Sequence, residues 1–281
     1  MENLNKICVL SDWDDPELAQ MLPQFYPPAM AKAGEWQSRR HRKYWEWAIG
    51  MLALEKLGKL TPDAVALGVG SGSETPLFFL TNRIKYVMST DLYTITSKQW
   101  TEADVNMLAS PEKLAPYPYN RRRLGVQVMN GTDLRFEDNT FDIVFSYSSI
   151  EHFGGKENAA KAMREIERVL KPGGVASIAT EIFIGDVAKL EQAREWRKKF
   201  PWNKVTRYGI FPEMFTRDEL EKYLIGATGL KLCWPADFSV CQDDLDKAVP
   251  FPAKPDMYPH LFLNLRGVHW GSIHLAFRKQ E

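Results

Sequence analysis

Short apolar runs alternate with amphipathic stretches along most of this chain. Five of these runs predict buried strands, at residues 64–69, 86–91, 125–129, 141–146 and 175–181. Between the last two, residues 156–171 place Ala160, Met163, Ile166 and Leu170 on one stripe, which predicts an amphipathic helix. Strands that alternate with helices in this way predict an α/β fold with a doubly wound, mostly parallel sheet.

The two ends of the chain complete this plan. Residues 36–58 carry apolar positions at helical spacing and predict an N-terminal helix. Residues 230–234 and 271–279 predict two closing strands, which brings the sheet to seven. We therefore expect an N-terminal helical extension over 1–60 and a main domain over 61–281. Three long connections do not fit the minimal plan and are predicted to be lid-like insertions, at about 92–124, 182–215 and 235–266.

Composition narrows the possible partners and compartments. Of 281 residues, 44% are hydrophobic, and 36 Lys and Arg balance 36 Asp and Glu. A balanced chain has no global field for nucleic acid, so we expect a small-molecule or glycan acceptor and no nucleic-acid partner. No signal peptide or apolar run long enough to span a membrane is visible. Three cysteines without metal or redox spacing suggest free thiols and the cytosol; the oligomeric state stays open.

The stretch "VALGVGSGSETPLFFL", residues 65–80, forms a glycine-rich turn between a predicted strand and a helix. Such a turn aims backbone N–H groups at a polar ligand. It lacks the Gly-Lys-Ser/Thr of a phosphate-cradling loop, and G-x-G-x-x-G fails because Ser73 or Thr75 takes the last place. Asp91 follows Gly72 by 19 residues, where a carboxylate accepts ribose hydroxyls. Both NAD and S-adenosylmethionine carry that ribose.

Two later segments, "VMNGTDLRFEDNTFDIVFSYSSIEHFGG" and "REIERVLKPGGVASIATE", resemble the type 11-like branch of the class I S-adenosylmethionine-dependent methyltransferases. The resemblance covers residues 64–181 and implies S-adenosyl-L-methionine as cofactor. It implies that Gly70 and Gly72 lie beside the methionine part, that Asp91 binds the ribose and that Asn130 lies near the adenine amino group. The implied cofactor-binding residues are Gly68, Gly70, Ser71, Gly72, Glu74, Asp91, Leu92, Asn130, Gly131, Thr132 and Ser146.

The chain departs from the family pattern at two places in the loop. Gly68 stands where the family has an acidic residue that helps to hold the methionine amino group. Glu74 stands where the family has its third glycine. We expect Glu74 to replace part of the charge that is missing at Gly68, from the other side of the loop.

Methyl transfer needs alignment and, for a hydroxyl acceptor, a base. His152 is the first candidate base; the alternative is a structural histidine that caps a helix or pairs with Glu151. Glu181, at the end of the fifth buried strand, is the second candidate. A Glu-x-x-Glu-His metal arrangement is broken at Ser148, so no metal site is expected.

Two further groups have open roles. The basic run at residues 39–43 is either a solvated face or a source of one cofactor- or phosphate-binding cation, with Arg42 the first choice. Four aromatic residues form either an acceptor wall or core packing: Trp45, Trp47, Trp202 and Tyr208.

The function predicted is S-adenosylmethionine-dependent methyl transfer, with O-methylation of a sugar, glycan or small metabolite as the leading interpretation. Two alternatives stay open. One is an NAD-dependent sugar-nucleotide enzyme, for which a Tyr-x-x-x-Lys pair and a complete dinucleotide fingerprint are missing. The other is a non-catalytic nucleotide-binding protein of the same fold.

Overall fold

The sheet of this protein, in a computed structural model that describes residues 1–93, 103–199 and 213–281, is mixed and centred on five parallel strands. These are β1 (Val65–Val69), β2 (Tyr86–Asp91), β3 (Leu124–Val128), β4 (Phe141–Tyr147) and β5 (Leu170–Ile184). Four further strands complete it: β6 (Lys231–Leu232), β7 (Val249–Pro250), β8 (Leu263–Leu265) and β9 (Val268–Arg278). The strand order is β3-β2-β1-β4-β5-β9-β8-β7, and β6 pairs with β9.

The predicted α/β fold is confirmed, and all seven predicted strands are present. Strand β9 runs antiparallel to β5 along ten residue pairs, from Val175–Arg278 to Ile184–His269. Two short strands, β7 and β8, were not predicted; they lie inside the segment expected to be a lid and continue the sheet beyond β9. This segment is rich in proline, and each of the two strands pairs with a neighbour over only two or three residues. The sequence pattern therefore did not predict them.

Several helices pack against the sheet, among them the one over Arg42–Lys56 and the one over Lys156–Val169. The helices of the described residues are α1 (Pro16–Met21), α2 (Pro28–Lys32), α3 (Arg42–Lys56), α4 (Thr75–Thr81), α5 (Asn106–Ala109), α6 (Lys156–Val169), α7 (Val187–Lys199), α8 (Arg217–Leu220) and α9 (Gln242–Asp246). Helix α6 buries the predicted apolar stripe, and its last turn gives way to β5 at Leu170. Thr216 and Glu219 form a capping box that opens α8. None of these helices is both long and apolar enough to cross a membrane.

The N-terminal segment belongs to the same core as the sheet. Ile7 forms an antiparallel bridge with Ile273 of β9, and the Cys8 N–H donates to the Ser272 carbonyl. The indole N–H of Trp45 donates to the buried carboxylate of Asp12 over 2.8 Å, which fixes α3 to this segment. Helix α3 is thereby held across the sheet, with its first turn near the carboxyl ends of β4 and β5.

Residues of the predicted second and third lid segments share a small separate core. It contains Phe183, Leu190, Met214, Val249, Leu263, Val268 and Trp270. This core lies beyond the point where β4 ends, because β5 and β9 continue past their neighbours. The described parts of the two segments therefore meet beyond the carboxyl edge of the parallel strands, the edge at which such sheets bind ligands.

Candidate functional site

The glycine turn after β1 takes a backbone conformation that favours glycine. Gly70 and Gly72 have φ angles of +62° and +44°. A Cβ on Gly70 would lie 2.9 Å from Ser149 Cβ, and the Ser149 hydroxyl donates to the Gly70 carbonyl. The loop is thus fixed against the segment that follows β4. Its close approach to that segment leaves no room for a side chain at residue 70.

The missing acid at Gly68 has a steric cause. A Cβ on Gly68 would lie 2.5 Å from Ser71 Oγ and 2.9 Å from the Phe145 ring. Ser71 Oγ in turn shares a hydrogen bond of 2.9 Å with Ser89 Oγ. Ser71 therefore occupies the space that an acidic side chain at residue 68 would need, and its hydroxyl bonds to β2 within the protein.

Asp91 lies at the end of β2 and faces the loop. Its Oδ2 accepts the Gly72 N–H over 3.0 Å, and its Oδ1 accepts the Leu92 N–H over 2.7 Å. Burial raises the pKa of Asp91, and these N–H donors offset part of that rise. Each carboxylate oxygen keeps a second lone pair for a ligand hydroxyl. Leu92, next to it, is 53% exposed and offers an apolar face.

Asn130 follows β3 and points its oxygen into the protein. Asn130 Oδ1 accepts both the N–H and the hydroxyl of Thr132, over 2.9 and 3.0 Å. Both of these contacts are made within the turn, and the place of Asn130 near the adenine amino group stays a prediction. Gly131 is required here because a Cβ would lie 2.5 Å from the Phe153 ring.

Two buried oxygens at this edge lack a hydrogen-bond partner among the described residues. One is the hydroxyl of Ser146, near the end of β4, and the other is Glu74 Oε2, at the residue that precedes α4. A buried polar atom without a partner costs free energy. A ligand that supplies donors here would remove that cost.

Glu74 is paired through its other oxygen. Lys43 Nζ lies 2.5 Å from Glu74 Oε1 and donates to the Tyr147 carbonyl over 3.0 Å. Burial raises the pKa of Glu74 to about 7, although the charge of Lys43 acts to lower it. Lys43 also lies 3.6 Å from the buried carboxylate of Glu46. Lys43 was part of the predicted basic run, but its partner could not be read from the sequence.

Arg42, the neighbour of Lys43, pairs with Glu181. Its guanidinium contacts Glu181 Oε1, donates to Ser272 Oγ over 2.9 Å and lies 3.5 Å from Glu46 Oε1. Arg42 is thus committed to the protein, and the suggestion that it meets the cofactor carboxylate loses its support. Two other residues of the basic run also form ion pairs within the protein. Arg39 pairs with Glu35 at the surface, and Arg40 pairs with Asp14.

His152 does not pair with Glu151, the alternative considered from the sequence. His152 Nδ1 lies 3.0 Å from Glu213 Oε2. Burial lowers the pKa of His152, but the hydrogen bond to Glu213 and the nearby carboxylates outweigh it and bring that pKa to about 9. The imidazole is therefore charged at neutral pH. Glu151 instead accepts the Thr180 hydroxyl and the Glu181 N–H.

A second histidine, which the sequence did not single out, lies beside Arg42. The His260 N–H donates to the Arg40 carbonyl over 2.8 Å, and the His260 carbonyl accepts the Arg42 N–H over 3.0 Å. Its ring is 4.3 Å from that of His41, centroid to centroid. Burial, with Arg42 nearby, lowers the pKa of His260 to about 4. No local pattern marks His260, because its neighbours come from the other end of the chain.

The predicted aromatic wall is only partly within the described residues. Trp45 is fully buried and bonded to Asp12, and Trp47 packs near Phe25 and Tyr44. Trp45 and Trp47 therefore belong to the core, which was the alternative to an acceptor wall. Trp202 and Tyr208 lie outside the described residues.

The central region of the sheet matches a known protein family in sequence. Residues 65–178, from the first residue of β1 into β5, match the family described as "Methyltransferase domain". Residues 65–178 are thus similar to methyltransferase domains. The glycine turn, Asp91, Asn130 and Ser146 all lie inside this range. The resemblance seen in the sequence is thereby confirmed.

Solved structures share the fold of this methyltransferase domain. One is geranyl diphosphate C-methyltransferase from Streptomyces coelicolor A3(2), in complex with Mg²⁺, geranyl diphosphate and S-adenosyl-L-homocysteine; its TM-score is 0.51 at 14% identity, over 83% of this chain and 79% of that one. Another is the complex between the Haloferax volcanii Trm112 methyltransferase activator and a methyltransferase, with a TM-score of 0.50 at 17% identity, over 92% and 98% of the two chains.

A curated relative matches part of this chain more closely in sequence. It is the Mus musculus protein named "Probable tRNA methyltransferase 9B", 34% identical over 82 residues. That stretch is 28% of this chain and 17% of the relative. The chain thus spans less than a fifth of this relative's length.

The expectation of no nucleic-acid partner is wrong as an exclusion. The chain matches relatives named for tRNA methylation, and one structural neighbour is a complex with a protein activator. Zero net charge does not exclude a local basic surface, because it averages over all charges of the chain. Arg121 and Arg122, for example, are adjacent and both exposed in the described part of that surface.

Proposed function

We propose that this chain is an S-adenosylmethionine-dependent methyltransferase, with the cofactor bound along the carboxyl ends of β1, β2 and β3. The observation that carries the proposal is the contact of Asp91 with the Gly72 N–H at 3.0 Å. It places a carboxylate and a glycine turn side by side within the matched methyltransferase domain. A nucleoside with an amino-acid tail fits both features at once.

The groups at this edge suit S-adenosylmethionine chemically. Asp91 accepts the ribose hydroxyls, and exposed Leu92 offers the adenine an apolar face. The Asn130 amide donates to a ring nitrogen of the adenine. The two unpartnered buried oxygens, Ser146 Oγ and Glu74 Oε2, accept donors from the ligand. Gly70 and Gly72 keep side chains out of its path.

Bound there, the cofactor supplies a methyl group that is activated by a sulfonium. The protein has to align the acceptor and receive its proton. His152 is charged at neutral pH, so its imidazole cannot accept the proton of the acceptor. Glu181 is held by Arg42, and His260 is neutral beside them. We therefore assign proton transfer to the Glu181 and His260 side of the site, with His152 as an anchor for Glu213.

For the acceptor, we propose a hydroxyl of a sugar, glycan or small metabolite. The neutral imidazole of His260 near Glu181 supports this class, because a hydroxyl needs a base more than an amine does. A second candidate is an RNA nucleotide, which is favoured by the match to relatives named for tRNA methylation. In either case, the layer formed by the small core around Trp270 would cover the acceptor.

The acceptor experiment uses S-adenosylmethionine with a labelled methyl group. Label is followed in parallel into total RNA and into fractions of sugars, glycans and metabolites, with Asp91→Ala as the inactive control. Transfer to a hydroxyl compound supports the leading candidate. Transfer to RNA alone replaces it with the second, and transfer to neither while label appears on amines rejects both.

Two wider parts of the proposal have separate support. We propose that residues 1–60 act as an extension that completes the site, because Arg42 and Lys43 reach it from α3. We also propose a cytosolic location, since Cys8, Cys233 and Cys241 are all free thiols. In the full chain, Lys43→Met should weaken the binding of S-adenosylmethionine if α3 completes the site.

A further inference from the structure

We propose that Glu46 of α3 is a positioning residue for the cofactor, because it holds the backbone of Ser148 in a strained conformation. Ser148 opens the segment over residues 148–153, which follows β4 and is called the β4 turn below. The inference rests on the proposed function and deepens it. Glu46 makes no contact with the cofactor in this assignment, so its effect on binding passes through the β4 turn.

The backbone of Ser148 takes a conformation that residues with a side chain rarely adopt. Its φ angle is +50°, in the left-handed region that favours glycine. Its N–H still donates to the Ala179 carbonyl of β5 over 2.8 Å, so the chain leaves the sheet directly after this bond. A serine keeps such an angle only where the surrounding structure holds it there.

The group that holds Ser148 is a buried carboxylate on another element. Ser148 donates its hydroxyl to Glu46 Oε2 over 2.8 Å. Glu46 is fully buried, and its Oε1 accepts the Ser272 hydroxyl and lies 3.5 Å from Arg42 Nη1. Lys43 Nζ lies 3.6 Å from Oε2. These contacts fix the carboxylate in one place, so it can act as a rigid acceptor for Ser148.

The β4 turn carries two side chains onto two other turns of the proposed cofactor site. The Ser149 hydroxyl donates to the Gly70 carbonyl, in the glycine turn after β1. The Phe153 ring is so close to Gly70 and Gly131 that a Cβ on these residues would lie 3.1 and 2.5 Å from it. Phe153 thus packs between the turn after β1 and the turn after β3. A shift of the β4 turn would therefore disturb the support of both.

The Glu46 contact should therefore control how tightly the cofactor binds. Without it, Ser148 relaxes to a negative φ in a fraction of the molecules, and the β4 turn no longer supports the other two turns there. The apparent affinity falls with the fraction that keeps the binding conformation. Ser148→Gly keeps the positive φ without help, because glycine lacks the Cβ that makes this region costly. In that variant Glu46 should be dispensable for binding.

The test is a double-mutant cycle on Glu46 and Ser148 in the full chain, with the affinity of S-adenosylhomocysteine measured by calorimetry. Glu46→Leu is compared in the unchanged background and in a Ser148→Gly background. Glu55→Leu is the matched control, since Glu55 is an exposed glutamate on the same helix. Denaturant unfolding of every variant separates a loss of stability from a loss of affinity.

Glu46→Leu should weaken the binding of S-adenosylhomocysteine by about fivefold or more in the unchanged background, which is typical for the loss of one hydrogen bond. In the Ser148→Gly background, the same change should alter the affinity by less than about twofold, and so should Glu55→Leu in the unchanged background. Equal losses of affinity in both Glu46→Leu comparisons, or no loss in either, would overturn the positioning role.

A second comparison covers the case in which Glu46→Leu does not fold. Ser148→Ala still carries a Cβ but loses the hydroxyl, so it should bind S-adenosylhomocysteine about fivefold more weakly than Ser148→Gly. Equal affinities of these two variants contradict the inference. If the unchanged protein does not bind S-adenosylhomocysteine, the proposed function itself fails, and the inference fails with it.

Discussion

Arg42 and Glu181 join the first turn of α3 to β5 by an ion pair that is almost completely buried. The side chains are 12% and 11% exposed, and Arg42 also bonds to Ser272 and Glu46. Lys43, the next residue, bonds to Glu74 on the opposite side. Two adjacent cations thus connect the glycine turn at Glu74 with Glu181 of β5.

Loss of Arg42 should destabilise the fold strongly. Arg42→Met would leave the carboxylates of Glu181 and Glu46 buried without this partner, which costs about 3–5 kcal/mol of the free energy of unfolding. Denaturant unfolding measures that change. Arg39→Met removes an exposed pair with Glu35 and should cost less than about 1 kcal/mol. Similar values for the two variants would show that the buried network contributes little.

The charge of His152 should depend on Glu213. An NMR titration should find the pKa of His152 near the value of about 9 that the Glu213 contact produces. In Glu213→Gln that pKa should fall toward about 6.5, the usual value for histidine. If His152 is the base after all, the rate of methyl transfer would rise with pH up to about 9, and Glu213→Gln would shift that rise to lower pH. Our assignment predicts no such shift.

The stability of the protein should fall as Glu74 ionises. Its pKa is raised from 4.5 in the unfolded chain to about 7 in the fold, so the folded state binds more protons between these values. This group therefore makes the free energy of unfolding decrease as pH rises from about 4.5 to about 7. Glu74→Gln should remove that decrease. Glu157→Gln, a change of an exposed glutamate on α6, should leave it as it is.

A side chain at Gly68 should strain the loop. Gly68→Ala places a Cβ against Ser71 and Phe145 and should cost about 1–3 kcal/mol, a typical penalty for overpacking. The same change in a Ser71→Gly background should cost less, because the nearest obstacle is gone. Thermal unfolding of the three variants checks this. Equal costs in both backgrounds would place the obstacle elsewhere.

The parts of the site that follow local rules could be predicted from the sequence. Short-range patterns in the sequence predict β1, β2, the glycine turn and Asp91. Each of these features depends only on neighbours within about one βα unit. These features were placed correctly because backbone geometry and short spacing dictate them.

The rest depends on contacts between distant segments. Lys43 meets Glu74, and His260 meets His41, only after the sheet has brought three parts of the chain together. The partner of His152 was missed for the same reason, since Glu213 lies in a predicted lid. The zero net charge led to the wrong exclusion of nucleic-acid partners, because it carries no information on where the charges lie.

The most direct test of the central claim is the calorimetric affinity of S-adenosylmethionine for the unchanged chain and for Asp91→Ala, with NAD as the competing nucleotide. We expect the unchanged chain to bind S-adenosylmethionine at one site and not to bind NAD. We also expect Asp91→Ala to lose most of this affinity, because the ribose hydroxyls lose their acceptor. Binding of NAD without S-adenosylmethionine, or equal affinity in Asp91→Ala, would contradict the claim.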